Sequence, residues 1–292
     1  MRVGFVGLGT MGGRMVRRLV QAGYVPVVYD RVAALRQALG AAGAKEVESV
    51  AEVVTQSDVV FSSLPMPADV EDVYTGPEGA LNVARPGQIF VDLSTIDPAT
   101  ARRVSTELTT RGVSFLDAPV SGGSTGADAG TLAVMVGGDT KALDTVRPIL
   151  GAFSNRIFHV GPVGAGSVVK LANQLLVGVN TIAAMEAVTF AVHAGIHPSL
   201  LLDVLSSSAG DSVMLRRSIR DFVLTDNFAP QFALRLLLKD LRLYREEARL
   251  LGTATPSGEM ALALFEEARA QGLADQDYAI IVKLIEGSIA EA

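Results

Sequence analysis

Lys170, Asn173 and Gln174 stand at i, i+3 and i+4 inside one long apolar stretch, Gly161 to Gly195, GPVGAGSVVKLANQLLVGVNTIAAMEAVTFAVHAG. Helical spacing puts an ammonium and two amides on one face, and Asn180 and Thr181 extend that face. An amine flanked by amides is equipped to carry a proton and to hold a small polar molecule. Three readings of Lys170 stand open. Its ammonium snorkels to water from a half-exposed first turn; or the stretch spans a membrane; or the lysine is catalytic. Against the membrane stand Lys170, Asn173, Gln174, Asn180, Glu186 and His193, each costly in lipid. For catalysis speaks the basic composition: of 25 Lys and Arg residues, only Lys45, Lys141, Lys170, Lys239 and Lys283 are lysine. A chain that takes its positive charge almost wholly as arginine keeps lysine where an ammonium that can titrate matters.

The elements that would position these groups begin at the N-terminus. The apolar run Arg2 to Val6 ends in Gly7-Leu8-Gly9-Thr10-Met11-Gly12, and Arg14 to Val20 then shows helical spacing. Strand, glycine turn and helix in that order form a site for a dinucleotide pyrophosphate, held by backbone N–H groups and the positive helix end. A second strand, Val25 to Tyr29, ends at Asp30, where a carboxylate takes the ribose hydroxyls. Asp30 disfavours a 2′-phosphate and so favours NAD, while Arg31 or Arg36 would pair with that phosphate or stack on adenine and admit NADP.

Further strands read at Asp58 to Leu64, Gln88 to Leu93 and Arg156 to Val160. Ligands of open parallel sheets sit past the carboxyl ends of the strands, so Leu64, Pro65, Met66, Ser94 and Thr95 are expected beside the cofactor. Ser94 and Thr95 read equally as caps of a helix starting at Pro98. The segment Asp117 to Gly126, DAPVSGGSTG, reads as a loop whose Ser121, Gly122 and Gly123 form an anion nest, or as a plain hairpin turn. Ser121 lacks the G-x-S-x-G setting of a hydrolase nucleophile.

Beyond the long helix the chain reads as helical throughout: Pro198 to Leu205, Val213 to Leu224, Phe232 to Leu251, Pro256 to Gln271 and Asp277 to Ile289, with a Ser/Gly break at Ser206 to Ser212. Lys239 ends an apolar run, and on spacing alone it reads as a solvated neighbour of Arg242 and Glu246. His193 and His197 flank Gly195 and precede Pro198, so no regular helix carries both, and no metal site is expected from them. With 292 residues, 49% hydrophobic and 19% charged, a mean hydropathy of +0.36 and no charge block, the chain reads as soluble and well buried. Net charge −6 argues against nucleic acid and anionic membranes as partners. Zero cysteine excludes disulfides, thiolate nucleophiles and Cys-ligated zinc and suits the cytoplasm. Met1-Arg2 and the short run after it do not read as a signal peptide.

In their order these motifs resemble the β-hydroxyacid dehydrogenase family: GLGTMG at 7–12, VDLSTIDP at 91–98, DAPVSGG at 117–123 with GTLAVMVGG at 130–138, GPVGAGSVVKLANQ at 161–174, and KD at 239–240. The resemblance implies an α/β Rossmann-type dinucleotide-binding domain, 1–162, followed by an all-α domain, 163–292, joined by a long interdomain helix. It implies that Gly7, Leu8, Gly9, Met11 and Gly12 hold the cofactor, that Ser121, Gly122, Gly123 and Asn173 seat the substrate, that Lys170 is catalytic and that Lys239 lies by both cofactor and substrate. Some members carry Asn where Gln174 stands, and NADP-preferring members often carry Asn-Arg in place of Asp30-Arg31, which supports NAD without removing NADP. The implied activity is hydride transfer between the nicotinamide cofactor and a small 3-hydroxyacid or its semialdehyde by a homodimer or homotetramer, with no metal. Two rivals share the scaffold. An imine reductase usually has Asp or Tyr in place of Lys170, and a non-catalytic NAD(P)-binding sensor would have no use for Ser121, Lys170 and Asn173 together.

Overall fold

Several short runs of this sequence are almost wholly apolar, as suits strands of a parallel sheet covered on both faces. In the computed structural model, which describes residues 1–287, they become β1 (Val3–Val6), β4 (Val59–Ser62) and β5 (Ile89–Asp92), with β2 (Val27–Tyr29), β3 (Lys45–Glu46) and β6 (Ser114–Asp117) beside them. The parallel order is β3-β2-β1-β4-β5-β6, the doubly wound arrangement that reverses direction between β1 and β4. Helices α1 (Gly12–Gln21), α2 (Ala33–Gly40), α3 (Val50–Gln56), α4 (Pro67–Thr75) and α5 (Pro98–Thr109) make the connections. After β6 come β7 (Val120–Ser121), α6 (Gly123–Ala129), β8 (Leu132–Gly137), α7 (Thr140–Leu150) and β9 (Ser154–Gly161). Strand β8 runs antiparallel to β6 and β7 and parallel to β9.

Alternation along the strands sorts side chains between two cores. Phe5, Phe61 and Val91 pack with Met15 and Leu19 of α1 and Leu143 and Val146 of α7. Val6, Val60 and Phe90 pack with Val53, Val70, Tyr74, Val104 and Leu108 of α3, α4 and α5.

The strands are shorter than their apolar runs suggest, and Val25, expected in β2, is exposed. Apart from the helix start at Pro98, the sequence pattern does not single out α2 to α7. These helices are seven to twelve residues long, too short for a periodic signal to stand clear of noise. The segment expected as loop to Gly126 enters helix α6 at Gly123.

Helix α8 (Ala165–His193) is unbroken over 29 residues. The chain divides into two compact units inside it, Met1–Lys170 and Leu171 onward, rather than at the Gly161-Pro162 turn. The physical reason is that the first turn of α8 is bonded to the sheet through Asp117.

In the second unit Ile182 and Met185 of α8 share a core with Leu237 and Leu241 of α11 (Leu234–Leu250) and Leu262 and Phe265 of α12 (Pro256–Ala270). Ala184 and Val188 pack against Leu202 of α9 (Pro198–Leu205) and Leu215 of α10 (Val213–Arg217). Residues Ser218–Val223 continue as a π-helical turn, where the sequence reads as one α-helix to Leu224. The chain then reaches α13 (Ile281–Gly287); the last two residues of the helix expected to end at Ile289 lie outside the described residues.

Candidate active site

The glycine loop fits a dinucleotide by its crowding pattern. A Cβ on Gly12 would sit 1.9 Å from the Gly7 carbonyl oxygen, whereas a Cβ on Gly9 would meet nothing within 4 Å. Gly12 thus allows close helix-to-loop packing, and Gly9 leaves its outer face open to an approaching phosphate. No side chain caps α1 at Met11, as befits a helix start whose N–H groups serve an anion. Asp30 ends β2; its Oδ2 accepts from the Leu8 N–H at 2.7 Å and its Oδ1 from the Val32 N–H at 2.8 Å. The carboxylate therefore braces the glycine loop while each oxygen keeps a further lone pair for a hydroxyl donor.

Arg36 is not placed for a 2′-phosphate, contrary to one expectation. Its guanidinium lies over the Tyr29 ring, donates to the Asp30 carbonyl at 2.7 Å and pairs with Glu48 at 2.6 Å. Arg31 is 79% exposed and only loosely paired with Asp69 at 3.9 Å.

Past β4 and β5 the expected contacts sit on a buried polar relay. Tyr74 donates to Ser62 Oγ at 2.7 Å, since the Ser62 hydroxyl proton goes to Asp92 Oδ1 at 2.6 Å. Ser94 also donates to Asp92 Oδ1, at 2.6 Å, and accepts from the Leu64 N–H at 2.8 Å. Ser94 thus fixes the start of the Leu64-Pro65-Met66 segment rather than capping α5. The cap is Asp97, which accepts from Thr100 N–H. Burial pushes the Asp92 carboxyl up to about 6, against the lowering effect of the Ser62 and Ser94 hydrogen bonds and with a further rise from the Asp117 charge; its Oδ2 has no hydrogen-bond partner. Burial raises the Tyr74 phenol too, with the Asp92 charge adding to the effect. Thr95 is half-buried and Met66 exposed at the start of α4.

Asp117, at the end of β6, is the residue that sequence reasoning passed over. Its Oδ1 accepts from the Gly164 N–H at 2.7 Å and its Oδ2 from the Ser167 N–H at 2.8 Å and Ser167 Oγ at 3.2 Å. Burial raises its pKa against the lowering effect of those donors. The signal was present as an aspartate heading DAPVSGG, but its partners lie about 50 residues on, beyond any local pattern. Four residues later Ser121 is half-buried, and Gly122 and Gly123 are exposed with φ of +134° and +62°. Those angles, which side chains rarely tolerate, turn the chain directly into α6.

Lys170 is 7% exposed, so its ammonium does not snorkel into water. On the same helix, in the second unit, Asn173 Nδ2 donates to Gln174 Oε1 at 2.9 Å. Gln174 Nε2 in turn donates to Asp240 Oδ2 at 2.6 Å, and Lys239 Nζ lies 2.9 Å from Asp240 Oδ1. Lys239 is therefore a half-buried partner of the buried Asp240 carboxylate. It is not a solvated neighbour of Arg242, whose own partner is Glu266. Gln174 joins Asn173 to the Lys239-Asp240 pair. Thr181 turns its hydroxyl to its own Val177 carbonyl, which withdraws it from the polar face. His197 caps α9, its Nδ1 accepting from Ser199 N–H. Among the described residues there is no group of three or more His, Asp and Glu arranged for a metal.

Residues 2–161 match the family described as the NAD binding domain of 6-phosphogluconate dehydrogenase. Residues 164–285 match that described as NAD-binding of NADP-dependent 3-hydroxyisobutyrate dehydrogenase. The chain is 35% identical to 2-(hydroxymethyl)glutarate dehydrogenase of Eubacterium barkeri, covering 98% of this chain and 95% of that one. It is 37% identical to NAD-dependent L-serine dehydrogenase of Pseudomonas aeruginosa, covering 98% of both. The solved structure of 3-hydroxyisobutyrate dehydrogenase from Mycobacterium tuberculosis, in a crystal with L-serine, superposes with a TM-score of 0.89 at 33% identity over 98% of this chain and 99% of that one. Imine reductases of known structure are 18 to 20% identical with TM-scores of 0.61 to 0.67, a likeness of fold alone.

Proposed function

The chain belongs to the β-hydroxyacid dehydrogenase family of NAD(P)-dependent oxidoreductases, of 3-hydroxyisobutyrate dehydrogenase type, and from that premise we propose that its substrate is a small 3-hydroxyacid or the matching semialdehyde, with Lys170 as proton carrier. The observation that carries this reading is a lysine buried to 7% exposure, one helical turn ahead of Asn173. The nicotinamide, when bound, supplies the redox chemistry by exchanging hydride at C4. On oxidation the substrate hydroxyl gives its proton to the Lys170 amine as its C–H leaves as hydride; on reduction the Lys170 ammonium returns it. Ser121 Oγ and the backbone of Gly122 and Gly123 would orient the substrate carboxylate, so that little orientational freedom remains at the reacting carbon.

NAD is the favoured cofactor. Asp30 offers two carboxylate oxygens to ribose hydroxyls and repels a 2′-phosphate, while Arg36 is held by Glu48. Leu176, Phe190 and Val192 of α8 and Leu200 of α9 are exposed apolar side chains, which supports a homo-oligomer, dimer or tetramer, that light scattering would size.

A 340 nm turnover screen tests the function. NAD(H) and NADP(H) are each paired with L-serine, 3-hydroxyisobutyrate, 3-hydroxypropionate, glycerate, tartronate semialdehyde, glyoxylate and succinic semialdehyde. Turnover of one of these, reduced about 10²-fold or more in Lys170→Ala with NADH binding intact, is the expected result. Full activity in Lys170→Ala would remove the proton-carrier role. Silence across the panel with cofactor bound would turn the reading toward a sensor.

A further inference from the structure

Lys170 is useful only if its helix starts in the right place, and the residues around that start are unusually constrained. The last residue of β6, Asp117, puts both carboxylate oxygens on the opening turn of α8, one on the Gly164 N–H and the other on the N–H and hydroxyl of Ser167. Those N–H groups lack partners inside the helix, and a carboxylate at the positive helix end satisfies them while complementing the dipole. The site is dry: Asp117 is 1% exposed and Ser167 fully buried. The helix also presses against strand backbone. A Cβ on Gly166 would lie 2.3 Å from the Met135 carbonyl oxygen of β8 and 2.5 Å from that of Asp117, and one on Gly137 would lie 2.4 Å from Asp117 Oδ1.

Lys170 follows Ser167 by three residues and so projects from the next turn on nearly the same face. The loop proposed to seat the substrate starts from the same support. Ala118 N–H donates to the Asp92 carbonyl, Met135 N–H donates to the Pro119 carbonyl, and Ser121 pairs with Ala133 of β8. One aspartate thereby links, through its side chain, the lysine helix and, through its backbone, the Ser121 to Gly123 loop.

We propose that Asp117 is a positioning residue for the reaction: its buried carboxylate sets the axial position of the first turn of α8 and with it the reach of Lys170 toward a substrate seated at Ser121 to Gly123. The proposal rests on the reading of Lys170 as the proton carrier. Asp117 touches neither substrate nor cofactor in this scheme and acts through the helix it holds.

The test is a kinetic double-mutant cycle on the full chain, with NAD and either 3-hydroxyisobutyrate or L-serine, whichever turns over faster. Asp117→Ala is expected to lower kcat about 10- to 100-fold, the cost of misplacing a catalytic group by about an ångström. The affinity for NADH, read by its fluorescence, should change by less than about twofold, since the glycine loop and Asp30 are untouched. In a Lys170→Ala background the same change should cost almost nothing more, because two residues acting as one unit are not additive. Asp117→Asn keeps one acceptor, for either the Gly164 N–H or Ser167, and sets an amide N–H against the other donor, and should fall between wild type and Asp117→Ala.

Wild-type kcat in folded Asp117→Ala would overturn the proposal, as would an equal kcat loss in the Lys170→Ala background or a loss of NADH affinity that matches the loss of kcat. If Asp117→Ala does not fold, Asp117→Asn and Ser167→Ala, which removes only the hydroxyl bond, are read in the same cycle with the same criteria. Full turnover in Lys170→Ala alone refutes the proton-carrier reading instead, whatever the Asp117 variants do.

Discussion

The two units hold their polar groups by different means. In the sheet unit the groups proposed for the cofactor are backbone N–H groups and short side chains at strand ends, each fixed by residues nearby or by an adjacent strand: Asp30 on Leu8, Ser94 on Leu64, Asp92 under Ser62 and Ser94. In the helical unit they are long side chains paired across large sequence separations. Gln174 reaches Asp240, and Arg217, wedged between the Phe222 and Tyr278 rings, reaches the fully buried Asp277, which also accepts from the N–H groups of Gln231 and Phe232. A parallel sheet aligns its carboxyl ends by topology, so short groups suffice there. Helices offer no such common edge, and buried charge pairs set the register instead.

Breaking that contrast should cost most where a buried charge loses its partner. Asp277→Ala leaves Arg217 half in the core without its carboxylate and frees three backbone donors, those of Gln231, Phe232 and Ala279; we expect a loss of about 3–5 kcal/mol, read as a lower denaturation midpoint of the helical unit.

Asp92 sharpens the comparison through pH. Its folded-state pKa of about 6 lies above the ordinary 3.8, so the native state binds a proton more tightly than the unfolded one. The stability it contributes is fully present below about pH 4 and is lost as pH rises through about 6. Two pK units correspond to about 3 kcal/mol at most. Asp92→Asn should flatten the melting temperature between pH 4 and 7, and a slope unchanged by the substitution would remove this account.

A smaller effect is expected for Gln174→Leu. It strips a buried acceptor from Asn173 and a donor from Asp240, at about 1–3 kcal/mol, and should raise KM for the hydroxyacid more than it lowers kcat. The smallest belongs to the exposed Arg235–Asp275 pair: Arg235→Ala should shift stability by less than about 1 kcal/mol, diminishing further in salt.

The glycine loop, Asp30 and the long helix were legible because each is a local signal: glycines at fixed offsets, a carboxylate closing a strand, an apolar run of nearly thirty residues. Helices α2 to α7, the start of α5 at Pro98 apart, were not, their amphipathic runs being short. The helix-cap reading of Ser94 and the solvated-face reading of Lys239 went astray for a shared reason. Spacing along the chain offered a neighbour for each, an Asp97-Pro98 helix start or an Arg242-Glu246 face. The fold instead turned Ser94 onto Asp92 and Leu64, and it paired Lys239 with Asp240.

By itself the sequence determined the residue types, the order of the motifs and the period of each long element, because those depend on interactions within a few residues. Only the tertiary structure decided that Asp117 holds the start of the lysine helix, that Gln174 serves Asp240, and that Asp92 keeps one oxygen without a partner. Each of these is a buried polar group, and its partner is chosen by which strands and helices pack together, which no local pattern encodes.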